Sequence, residues 1–267
     1  MTVAERLERE WNRFTPAQRL ARYAFYLAAV IALVISLRTV SIIPEFLYDA
    51  PAQVADLLGR MWPLDWRYLR PTLTALVETM HIATLGTLLA LVMALPVGLM
   101  AARNVTPSYA LNLLAKFILV TSRSVNSLVW ALLFVAVFGP GPLAGTLAIA
   151  FRSIGFTGKL LAEALEETNA GSIEALIAAG APRASILAKG YWPQVEPAFW
   201  SISLFRWDIN IRESAVLGLV GAGGIGVVLD TALNLLYWDQ VAVVLFTIFA
   251  VVIVTEILVT FIRNRVL

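Results

Sequence analysis

Six apolar runs recur along this 267-residue chain, several of them long enough to cross a bilayer, which takes about 20 residues of helix. They cover about 23–43, 71–101, 110–138, a run from near Leu143, a run from near Pro193, and 241–262. Lipid offers no partner to an unsatisfied backbone group, so only helices or a closed barrel can span it. A barrel shows short segments of alternating polarity, and none occurs here. Hydrophobic residues make up 60% and charged ones 14%, against about 45–50% and about 25% in soluble domains. The expected fold class is an all-α integral membrane protein with about six transmembrane helices.

The polar stretches orient those runs. Residues 1–22 carry Glu5, Glu8 and Glu10 among five arginines, with no small-x-small cleavage site before the long apolar run. They are expected to form a cytoplasmic amphipathic segment on the membrane face, not a signal peptide; a frayed polar tail is the alternative. Thr15 and Pro16 suit an N-cap and a first helical residue. Residues 44–70, with Pro44, Pro51 and Pro63, read as an extracytoplasmic loop, and 71–267 as the core domain. Six spans put both termini on one side. Arg103, Lys116, Lys159, Arg183, Lys189, Arg263 and Arg265 share that side with the N-terminal arginines, whereas the opposite side keeps only Arg60, Arg67 and Arg70, diluted by acids, and the turn at 139–142 has no Lys or Arg. The positive-inside rule then makes both termini and the 162–190 loop cytoplasmic.

Several chemistries are excluded. With no cysteine there is no disulfide, thiol catalysis or Cys-based metal site. One histidine, His81, rules out a multi-histidine metal site within one chain, and it is expected to be packed in the core near Glu78 and Thr84. A net charge of +2 gives no footprint for nucleic acid. Gly221, Gly223, Gly224 and Gly226 fall in a formal G-x-G-x-x-G match, but they end a membrane run instead of following a strand. They are expected to be structural, allowing close helix approach or a break in a span. No G-x-x-x-x-G-K-[ST] occurs, so any nucleotide-driven cycle takes its energy from another chain.

Charges inside apolar runs cost about 2.5–3.5 kcal/mol at the bilayer centre and so face a partner or a water-filled path. Arg123, Arg152, Arg206 and Arg212 are such residues. Asp208 and Arg212, four apart, can meet on one helical face. Arg123 has Ser122, Ser124 and Asn126 beside it and no acid nearby in sequence. A guanidinium among hydroxyls suits a phosphonate or phosphate oxyanion. Arg123, Ser124, Asn126 and Arg212 are therefore expected to contribute to an anion path.

The stretch 163–193, EALEETNAGSIEALIAAGAPRASILAKGYWP, predicts a short Ala-lined helix at about 172–180. Ser172 suits its N-cap, Gly180 its left-handed closure, and Pro182 blocks continuation. Glu174, Ala175, Gly180 and Pro193 stand in register with the EAA motif of type I ABC importer permeases, which this segment resembles. Leu176 replaces the second Ala, and Gly190 and Trp192 replace the Ile and Leu of that motif. The runs 128–134 and 155–159 are also similar to that family, and RWDINIRESAVLGLVGAGGIG at 206–226 is very close to its phosphonate permeases.

The resemblance covers roughly 70–262 and implies a type I ABC importer permease fold, with 71–267 as the core permease domain. It implies a bacterial plasma (inner) membrane protein that translocates phosphonate- or phosphate-like anions and is not itself an enzyme. Glu174, Ala175 and Gly180 would dock an ATPase. The implied partners are a second copy of the permease, two cytoplasmic ATPase subunits, an extracytoplasmic substrate-binding protein and membrane lipid. ATP and Mg would be bound by the ATPase, leaving no cofactor in this chain. The alternatives are an ion-coupled secondary transporter, for which no convincing internal repeat is found, and an anion channel, which the arginines suit but the 163–193 loop does not.

Overall fold

The computed structural model describes residues 14–40 and 44–266, and all regular structure among them is helical. The chain divides after Leu57 into two compact units.

In the first unit, α1 (Pro16–Val40) starts where the Thr15-Pro16 pair predicts. The Thr15 hydroxyl accepts from the Gln18 N–H at 3.4 Å, and the Gln18 side chain accepts from the Thr15 N–H at 3.1 Å, a reciprocal cap. The helix runs on without a boundary at residue 22, and Leu27, Val30 and Ile35 are exposed along it. Most of the expected amphipathic segment, residues 1–13, lies outside the described residues, as do 41–43. The segment read as a loop begins with a helix, α2 (Pro44–Arg60).

The second unit takes in the last residues of α2, from Leu58, and then a single turn at Trp66–Tyr68. It then holds α3 (Leu69–Ala101), α4 (Tyr109–Ser124), α5 (Ser127–Phe138), α6 (Pro142–Glu166), α7 (Ala170–Ala178) and α8 (Arg183–Ile186). A π-helical turn, Leu187–Tyr191, leads into α9 (Trp192–Leu217), followed by α10 (Ile225–Asn234) and α11 (Trp238–Val266). α6 is central and packs on α3, α4, α5 and α9. Small residues let it do so. A Cβ on Gly158 would stand 2.6 Å from Leu119, and one on Gly86 of α3 would stand 2.7 Å from Ile149 of α6. Between helices in lipid there is no hydrophobic drive, so this close van der Waals approach is the main source of association.

Among the described residues, three helices are long and apolar enough to cross a bilayer alone, and up to five spans result when two bent pairs each count as one. α6, at 25 residues, is not among these spans; it carries Arg152 and Lys159, whose charges pair with Glu213 and Glu163. The run at 110–138 is not one straight span: α4 and α5 meet at 92°. The break lies at Asn126, whose side-chain oxygen accepts from the Leu128 N–H at 3.1 Å and from the Ser127 hydroxyl at 3.2 Å. An N-cap interaction inside an apolar run starts a new helix there.

The glycines at the end of α9 take conformations and close approaches that a side chain would obstruct. Gly221, Gly223 and Gly224 have φ of 80°, 83° and 77°, conformations costly for any side chain. A Cβ on Gly226 would meet Gly218 at 2.7 Å. No strand occurs among the described residues, so there is no βαβ unit. The N–H groups of this turn are taken up by α3: Gly224 donates to Glu78 Oε1 at 3.0 Å and Ile225 to Thr79 Oγ1 at 2.7 Å. A carboxylate and a hydroxyl thus cap α10 from a neighbouring helix.

Candidate translocation cavity and docking helix

The second unit is stitched together inside by polar side chains of α3, α6 and α9. Glu213 of α9 accepts from Arg152 of α6 at 2.6 Å and from Arg206 at 3.4 Å. Arg206 Nε donates to Ser153 Oγ at 2.9 Å, Ser153 donates to Asn210 Oδ1 at 3.1 Å, and Asn210 Nδ2 donates to Thr87 Oγ1 of α3 at 2.8 Å. The Arg206 guanidinium also stands 5.5 Å over the Phe156 ring. With its side chain only 4% exposed, Arg206 needs Glu213, because a buried charge without a partner is strongly destabilising. Arg212 pairs with Asp208 four residues away, as the sequence predicts, while Asp208 Oδ1 is buried without a hydrogen-bond partner.

Beside this network lies a cavity of about 400 Å3, lined by Asn126, Ser127, Arg152, Arg212 and Glu213 with apolar Leu128, Ile209, Val216 and Leu217. The structure brings Asn126 and Arg212 together there and adds Arg152 and Glu213. Arg123 faces a different groove, with Lys116 and Lys159, and Ser124 lines neither, its hydroxyl donating to the Thr121 carbonyl at 3.0 Å. The break after α4 separates them: Arg123 ends one helix and Asn126 caps the next. Arg152 stands out in sequence as a charge in an apolar run, but its partner is 61 residues away and no local spacing reveals it. His81 is a correction. It is exposed, because the buried face of α3 is set by Thr79, Ile82, Ala83 and Gly86.

At the opposite end from the glycine turn, α7 occupies the predicted short helix but starts earlier. Asn169, not Ser172, is its N-cap, accepting from the Gly171 N–H at 2.9 Å while its own N–H donates to Gln194 Oε1 at 2.9 Å. Asparagine caps as well as serine, and the bond to Gln194 fixes it at that position. The helix ends as expected. Gly180 has φ of 74°, Ala181 N–H donates to Leu176 O at 3.0 Å and Gly180 N–H to Ile177 O at 2.9 Å, the double bond of a Schellman close. Ile173 is buried against Gly190, whereas Glu174, Ala175, Ile177 and Ala178 are exposed. The outer face is thus small, with one carboxylate and one projecting Ile177. The base is tied to the bundle: Tyr191 Oη donates to Asn104 O at 3.1 Å, and Asn104 Nδ2 to Leu165 O at 2.6 Å.

An all-helical unit with a short exposed helix between its fourth and fifth long segments has the fold of a type I ABC importer permease. It superposes on a chain of the MetNI methionine ABC transporter in an inward-facing conformation with a TM-score of 0.63 and 25% identity, over 74% of this chain and 98% of that one. The chain belongs to the family of binding-protein-dependent transport system inner membrane components, whose model matches residues 94–267. A phosphite transport system permease protein of Stutzerimonas stutzeri is 38% identical over 199 residues, 74% of this chain and 72% of that protein. A phosphate-import permease protein of Mycolicibacterium smegmatis is 37% identical over 248 residues, 92% of this chain and 47% of that protein. The chain is therefore a membrane-spanning permease subunit of an ABC importer, in which ATP hydrolysis falls to a separate subunit.

Proposed function

We propose that this permease carries phosphonate- or phosphate-like anions into the cell, and that the cavity at Arg212 is one station on their path. The observation that carries this reading is the lining of that cavity: Asn126, Ser127, Arg152 and Arg212 against a single lining carboxylate, Glu213. Arginines and hydroxyls match the several acceptor oxygens of such an anion. The names of the relatives, which state phosphite and phosphate transport, support the same substrate class. Arg123 and Ser124 do not line this station. The partners are a second copy of the chain, two cytoplasmic ATPases and an external binding protein. Both termini are cytoplasmic, and the exposed face of α7, with Glu174, Ala175 and Gly180, seats in the ATPase. ATP and Mg are held by that subunit. Nucleotide shifts the permease only if it binds one conformation more tightly than the other.

The test is uptake of methylphosphonate, phosphite and phosphate into proteoliposomes holding the permease with its ATPase and binding protein. ATP-dependent uptake of at least one of these anions is expected. ATP-independent uptake by the chain alone would instead establish an ion-coupled transporter or a channel.

A further inference from the structure

The groove between α4 and α6, at the end of the unit that carries α7, encloses about 400 Å3 and is lined by more cations than carboxylates. On α4, Lys116 and Arg123 lie seven residues apart, two turns along one stripe of the helix. On α6, Lys159 and Glu163 line the opposite wall, and Arg103 stands at the end beside Glu166. Both carboxylates are already engaged. Glu163 bridges Lys159 at 3.1 Å, and Glu166 accepts the Arg103 backbone N–H at 2.9 Å. The charged ends of Arg103, Lys116 and Arg123 have no ion-pair partner among the described residues. Four cations against two carboxylates leave the concavity with a formal charge of +2, which a multi-oxygen anion balances. The apolar flank is that of a membrane surface, with Leu113 and Phe117 exposed. Basic pockets between membrane helices hold phospholipid head groups in this way, and the same donors serve a free phosphate.

We propose that this groove binds a phosphate-type oxyanion through Lys116, Arg123 and Arg103, at a site separate from the cavity at Arg212. The site stands whichever solute the importer carries, and binding alone tests it, with no ATPase or uptake required. The full-length chain in phosphatidylcholine nanodiscs is titrated with inorganic phosphate. In a second arm, nanodiscs of phosphatidylcholine and phosphatidylglycerol are scored for retained phosphatidylglycerol by native mass spectrometry.

At least one probe is expected to bind, with affinity falling about tenfold or more in Lys116→Gln/Arg123→Gln, since charge-assisted bonds are lost. Lys116→Arg/Arg123→Lys, which keeps both charges, is expected to retain most of the binding. Arg103→Gln, at an exposed turn, is a second variant with the same expected direction of loss. Phosphate binding alone identifies a free oxyanion, and phosphatidylglycerol retention alone identifies a lipid head group. The proposal is overturned if neither probe binds, or if the charge-removing variants bind as tightly as the parent chain.

Discussion

Glu213 accepts from two arginines on two helices, and this makes it the most exposed point of failure among single residues. Glu213→Gln leaves Arg152 and the buried Arg206 without a counter-charge. Removing one partner of such a buried set costs about 3–5 kcal/mol. The expected result is a clear drop in the melting temperature of the detergent-purified chain, partly recovered when Arg152→Gln is added. A loss in the double variant equal to the sum of the separate losses of Glu213→Gln and Arg152→Gln would show that the pair is not coupled. Sequence reasoning found Arg152, Arg206 and Arg212 because a charge inside an apolar run is conspicuous. It found the Asp208–Arg212 pair because four residues make one helical turn. It missed Arg152–Glu213 because that pair is made only when α6 packs on α9. It misplaced His81 because a residue's presence in a span does not say which face of the helix it occupies.

Among the elements, α7 shows how local chemistry can be read before the fold is known. Its closing glycine, Gly180, has the left-handed φ of 74° that Gly followed closely by Pro182 predicts, while its start moved from Ser172 to Asn169. Two good capping residues three apart leave the start open until Gln194, from the next long helix, bonds the first of them. Gly180→Ala places a Cβ in a conformation that costs about 1–2 kcal/mol. The transmembrane bundle is expected to keep its melting temperature. Co-purification of the ATPase is expected to weaken about fivefold or more, in line with that energy. Unchanged co-purification would separate the helix close from docking. The break between α4 and α5 was not legible, because the run 110–138 is continuously apolar apart from its polar knot. The cap by Asn126 decides there, and it sends Arg123 and Asn126 to different cavities.

On the scale of the whole molecule, the bilayer-spanning runs and the asymmetry of Lys and Arg already implied an oriented helical membrane protein in the sequence, and the resemblance at 163–193 and 206–226 implied an importer subunit. Close packing could not be read in that way, because it depends on which small residues meet: Gly158 against Leu119, Gly86 against Ile149. The molecule holds a polar network and cavity at the level of Arg212. It also holds a small exposed helix, tied through Tyr191 and Asn104 to the α3–α4 turn and the end of α6. Those bonds join the helix to the segments that surround the basic groove. The account depends on α7 meeting an external motor. The most direct test is a photo-crosslinking residue at Glu174, in a chain with no native cysteine to complicate labelling, assembled with its ATPase in membranes. Crosslinks to the nucleotide-hydrolysing subunit are expected, with a yield that changes between the ATP-bound and nucleotide-free states. Crosslinks only to lipid, or only to an external binding protein, would contradict the account.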